Sequence, residues 1–65
     1  MLPKTEVEAR LKKLGAFYVL DMDDLHEVWA TAWGFHIWVP MAGPHRGLPE
    51  DVLEDIEHDI RSSRP

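Results

Sequence analysis

The chain has 65 residues, a net charge of −5, 45% hydrophobic content and no cysteine. Those totals describe one domain (residues 1–65) near the lower limit for a single apolar core, and they exclude disulfides, thiolate metal sites and a cysteine nucleophile. The acidic balance is the wrong sign for a surface that grips nucleic acid through its phosphates, and no apolar run approaches the ~20 residues that cross a bilayer.

Met1-Leu2-Pro3-Lys4 soon meets Glu6 and Glu8, which is unlike a signal peptide. The expectation is a soluble protein of the reducing cytoplasm. Thr5 to Leu14 is predicted as a helix, with Thr5 capping and Glu8 at capping-box spacing. Val7, Leu11 and Leu14 form its apolar stripe, and Gly15 follows where a left-handed helix stop belongs. Residues 16–20 are β-branched and aromatic, hence a strand, and Asp21-Met22-Asp23-Asp24 supplies turn chemistry.

Residues 26–33 alternate between two faces. His26, Val28, Ala30 and Ala32 point one way, and Glu27, Trp29, Thr31 and Trp33 the other. Gly34 breaks the run. Residues 35–39 resume it, with Phe35, Ile37 and Val39 toward the core and His36 and Trp38 opposite, and Pro40 ends it. Met41 to Leu48 is a loop; its Gly43-Pro44-His45-Arg46-Gly47 has no phosphate-cradling pattern. Pro49 suits the first turn of a second helix over 49–60, with Glu50 and Asp51 favourable to its dipole. Val52, Leu53, Ile56 and Ile60 are its buried stripe, the acidic residues Glu50, Asp51, Glu54, Asp55, Glu57 and Asp59 its solvated face, and 61–65 a loose tail.

The predicted fold is α+β, in the order α-β-β-β-α: a three-stranded antiparallel sheet with two helices packed on one face and the other face open. Trp29 and Phe35 are expected to anchor the core, a large buried aromatic being worth ~1.5–3 kcal/mol. The open face should display His26, His36 and Trp38.

Several landmarks occur together: Leu14-Gly15 before an aromatic strand, His26 opening the second strand with Trp29 three residues on, Val39-Pro40 closing the third, a His/Pro/Gly loop, and a final helix after proline. From about Glu8 to Ile60 the chain resembles the HicA-like mRNA interferase toxins of bacterial toxin–antitoxin systems, whose fold is like that of a double-stranded-RNA-binding domain. The resemblance implies an endoribonuclease silenced by an antitoxin protein, with His26 at the position of the family's catalytic histidine. Where the family usually has Gly-Ser before that histidine, this chain has Asp24-Leu25, and its charge is acidic where the family is usually basic.

Chemistry and charge leave two expectations of different class. In the first, His26 is the acid/base for RNA cleavage, its ordinary pKa lying close to neutrality. Arg46, Lys12 and Lys13, with Arg10, are then the RNA-phosphate contacts. In the second, the fold is catalytically silent and works as a small acidic protein-interaction or dimerisation module. Its interface residues are Trp38, His36 and Val28, and a homodimer forms through the open sheet face, because an exposed apolar patch marks protein contact. No cofactor is expected and no metal site is assigned. His26 and His36 would be cross-strand neighbours only if the Gly34 turn paired their strands tightly, while His45 and His58 lie elsewhere.

Overall fold

The computed structural model describes residues 1–42 and 46–65. Gly43, Pro44 and His45, within the loop expected over 41–48, lie outside the described residues. The elements run β1 (Leu2–Pro3), α1 (Lys4–Lys13), β2 (Ala16–Asp21), β3 (Glu27–Thr31), β4 (His36–Val39), β5 (Gly47–Leu48) and α2 (Glu50–Ser62). The fold is α+β, and its main sheet is antiparallel in the order β2-β3-β4.

A second, two-stranded sheet pairs β1 with β5, Leu2 opposite Leu48 and Pro3 opposite Gly47. It explains where α1 begins. Pro3 is held extended at the N-cap, φ −68° and ψ 155°, and the helix starts at Lys4 with no side-chain cap. The expected Thr5 cap is therefore wrong: the β1 pairing fixes the entry one residue earlier and leaves Thr5 inside the first turn. At the other end Gly15 takes φ +92° and its N–H reaches the Lys12 carbonyl at 3.0 Å, the left-handed stop its type suggests.

β3 ends at Thr31, two residues short of expectation. The Thr31 hydroxyl accepts from the Phe35 N–H at 3.1 Å, and the Thr31 N–H donates to the Phe35 carbonyl at 2.9 Å. Residues 32–34 are thereby closed into a turn, with Gly34 at φ +88°. Trp33 sits in that turn rather than in a strand. Phe35 precedes β4 and is packed against the core while partly exposed. Its expected weight in the core belongs instead to Trp29, 0% exposed, with Leu11, Met41, Leu48, Leu53 and Ile60 around it.

Pro49 occupies the N-cap of α2, not its first turn, and its carbonyl accepts from Leu53 N–H at 3.2 Å. The helix runs to Ser62, beyond the expected end, so 61–65 is not a loose tail. Ser63 Oγ accepts from Trp33 Nε1 at 2.9 Å and donates to the Ile60 carbonyl at 2.7 Å. The Arg64 guanidinium lies 5.2 Å over the Trp33 ring.

Nor is every carboxylate of α2 a solvated one. Glu57 is buried and takes both ends of the Arg10 fork, Nε to Oε2 at 3.1 Å and Nη2 to Oε1 at 2.7 Å. Arg10 Nη1 reaches Glu50 at 3.1 Å and lies 4.0 Å from Glu6. One arginine thus clasps α2 to α1. The hydrogen bonds it donates to Glu57, then to Glu50, hold its guanidinium further above its ordinary value.

Candidate functional site

The register of the main sheet settles which side chains share the open face. Leu20, Val28 and Trp38 stand in one cross-strand row, and Phe17, Ala30 and His36 in the next. Trp38 is 64% exposed, and Phe17 and Leu20 about half. Ala30 belongs to this face but is buried, flanked by the larger side chains of its row. The three expected interface residues Trp38, His36 and Val28 come together here. Phe17 and Leu20 extend the patch; the sequence pattern assigned no faces to this strand, and a bulge between Tyr18 and Leu20 puts these two residues, three apart, on the same face. Neither cross-strand row contains a lysine or arginine.

His26 sits at one corner of the face, one residue outside β3. Asp23 accounts for that position: its Oδ1 accepts from the backbone N–H groups of Leu25 at 2.7 Å and His26 at 2.8 Å, an Asx turn that keeps residues 23–26 out of the ladder. The expected strand start at 26 therefore moves to 27. The imidazole Nδ1 lies 3.1 and 3.2 Å from the two Asp23 carboxylate oxygens, and because an ionised carboxylate can only accept, Nδ1 carries the proton. Asp23 is held below the usual carboxylate range, first by the Leu25 N–H and then by the His26 side chain. Nε2 makes no hydrogen bond among the described residues. The arrangement can relay a proton, but Asp21, Asp23 and Asp24 are all exposed around it and repel phosphate.

The cations do not gather there. Lys4 is taken by Glu27, a carboxylate only 2% exposed, at 3.0 Å, and Glu27 also accepts from Trp29 Nε1 at 3.0 Å. Arg10 is consumed by Glu57 and Glu50, so it offers phosphate nothing. Lys12 and Lys13 are exposed, but they close α1 beside Gly15 and Ala16, at the Thr31 end of the sheet. His26 is at the opposite end, five residues or about 16 Å away at ~3.3 Å per residue. Arg46 is exposed next to β5, near the start of α1. Of the proposed RNA contacts, Lys12 and Lys13 are thus remote from His26 and Arg10 is committed to carboxylates, while Arg46 lies on the side where Lys4 meets Glu27.

His36 pairs opposite Ala30, which separates it from His26 by four residues, about 13 Å, so the two histidines are not neighbours. No group of three potential metal ligands gathers among the described residues. On the helix side, a shallow depression of about 420 Å³ is lined by Phe35, Asp59, Ser62 and Ser63. Ser62 Oγ lies 3.5 Å from His58 Nε2, at the limit of a hydrogen bond and too long for an activated hydroxyl. Among the described residues no helix is long and apolar enough to cross a membrane. No family model, curated protein or solved structure matches this chain.

Proposed function

We propose that this chain is a catalytically silent, HicA-like protein-interaction module of the cytoplasm, working through the open face of its sheet. The supporting observation is the composition of that face: two cross-strand rows, Leu20-Val28-Trp38 and Phe17-Ala30-His36, without a single cation. A protein surface with an apolar centre suits it, and a basic rim on that protein would meet Asp21, Asp23 and Asp24. An antitoxin-type protein encoded in the neighbouring reading frame is the partner to try first. Trp38 is the anchor: it is the largest and most exposed side chain of the patch, at the β4 end of its row, and tryptophan is enriched among hot spots. Titration of that partner should shift the emission of Trp38 to the blue, and Trp38→Ala should weaken binding by about 30-fold or more with unchanged circular dichroism. Equal affinity of the variant would overturn the assignment.

A second reading, favoured by the carboxylate-oriented imidazole of His26, is ribonuclease activity of the mRNA interferase type. Its test is expression in a sensitive host. Growth arrest relieved by His26→Ala, together with RNA cleavage by the pure protein, would establish it. A harmless wild type that leaves RNA intact would discard it.

A further inference from the structure

β2 is an edge strand with solvent on both sides. Of its six residues only Ala16 is buried. Phe17, Tyr18, Val19 and Leu20, with Met22 just beyond, are each between 40% and 49% exposed. Natural edges are usually blunted by lysine, proline, shortness or a covering element. β2 has neither lysine nor proline, is the longest strand of the sheet, and is interrupted only by the bulge at Val19. The opposite edge, β4, is four residues long and stops at Pro40.

We propose that two copies of this chain pair β2 to β2 in antiparallel fashion about a two-fold axis near Val19, giving one continuous six-stranded sheet. The partner is identified by charge. At the Ala16 end of β2 lie the exposed Lys12 and Lys13, without ion-pair partners among the described residues, and Arg64, whose guanidinium approaches Gly15. At the other end lie the exposed Asp21, Asp23 and Asp24. An antiparallel two-fold sets the basic end of one copy against the acidic end of the other. It also holds the two Asp21 residues about 13 Å apart along the strands, beyond the ~10 Å over which exposed charges interact at moderate salt. No other partner orientation satisfies both ends from a single sequence.

The area fits a modest dimer. The half-exposed apolar side chains of β2 and Met22 supply about 400 Å² per copy, taking half of the area an aromatic residue buries as the guide. Over both copies that is about 800 Å², below the ~1,200–2,000 Å² of standard interfaces and in the range of weak, transient ones, so with the edge hydrogen bonds a dissociation constant on the order of 100 μM is expected. This inference rests on the sheet edge and stands or falls independently of the open-face reading. In the dimer the two open faces lie on the same side.

Sedimentation equilibrium from about 1 μM to 1 mM tests it. The wild type should dimerise, and amide hydrogen exchange along β2 should slow with concentration. Val19→Lys, at an exposed edge position outside both open-face rows, should weaken association about tenfold or more. Lys13→Glu and Asp24→Lys, both at exposed positions, should each weaken it about 3- to 10-fold, and the double variant should recover to within about 3-fold of wild type. A wild type monomeric at 1 mM overturns the proposal. So does a dimer that ignores these three substitutions and is lost in Trp38→Ala, which would put the contact on the open face.

Discussion

Lys4 and Glu27 offer the sharpest test of how this small core tolerates a buried charge. Glu27 faces the core side of β3, alternating with Val28, and has two partners: Lys4 Nζ at 3.0 Å and Trp29 Nε1 at 3.0 Å. Lys4→Met keeps most of the aliphatic stem and removes the cation. Removing one partner of a fully buried pair typically costs ~3–5 kcal/mol. The Lys4 side chain is 28% exposed, so water screens part of the attraction and ~1–3 kcal/mol is expected here. A domain of this size has a total stability of only about 3–10 kcal/mol, and each kcal/mol moves its melting midpoint by about 4–8 °C.

The assay is urea unfolding followed by tryptophan emission, run on wild type, Lys4→Met, Glu27→Gln and the double variant. Glutamine retains an oxygen to accept from Trp29 Nε1, so the double variant removes the charge pair and little else. It should be more stable than Lys4→Met alone, with a coupling energy of about 1–2 kcal/mol. If Lys4→Met costs less than about 0.5 kcal/mol and Glu27→Gln has the same effect in both backgrounds, the pair is not what makes the buried carboxylate tolerable.

Asp23 ties the His26 loop to pH. Its carboxyl is depressed below its ordinary 3.8, so its contribution is fully present above that value and is lost as pH falls through the lower, folded value. The Leu25 and His26 amide resonances should move together in acid, and the step should vanish in Asp23→Ala; a loop whose spectrum is flat down to about pH 2 would count against the Asx turn. Arg10→Met should lower the melting temperature, and Arg10→Lys should not restore it, because a point charge cannot replace the fork on Glu57; full rescue by lysine would show that geometry is irrelevant. Gly34 has φ +88° with nothing near its missing Cβ, whereas a Cβ on Gly47 would overlap the Leu2 carbonyl oxygen. Gly34→Ala should therefore cost about 1–2 kcal/mol from its positive φ alone, and Gly47→Ala should cost more by prising β1 from β5, as urea midpoints will show.

Local chemistry was the legible part of this chain. Gly15 and Pro40 end elements where their types demand, Gly34 supplies the positive φ of the turn between β3 and β4, and the period-two pattern assigned Trp29, Ile37 and Val39 to the core face. Long-range closure was not legible. The two-residue β1 and β5 are too short for any periodic signal, yet their pairing sets the start of α1. Arg10 and Glu57 are 47 positions apart, and each looks alone like an ordinary surface charge. Glu27 did carry a signal, since alternation put a carboxylate on the tryptophan side and a charge there needs a cation. The bulge at Val19 was invisible because one extra residue leaves composition unchanged while reversing the faces that follow.

The fate of the cations bears most directly on function. The chain has seven lysines and arginines, and two are committed to carboxylates, Lys4 to Glu27 and Arg10 to Glu57 and Glu50, while Arg64 lies over the Trp33 ring and keeps its charge. The nearest of these to His26, Lys4, neutralises a buried carboxylate in the very next residue of β3. Lys12 and Lys13 stand at the far end of the sheet. Binding RNA at His26 would require phosphate to approach three exposed aspartates, and of the proposed contacts only Arg46 is neither committed to a carboxylate nor at the far end of the sheet, although phosphate contacts dominate the affinity of such complexes. The same aspartates cost an apolar protein partner nothing if its rim is basic. Electrostatics therefore favours a protein over a nucleic acid on this face, even though the imidazole is oriented in a way that chemistry could use.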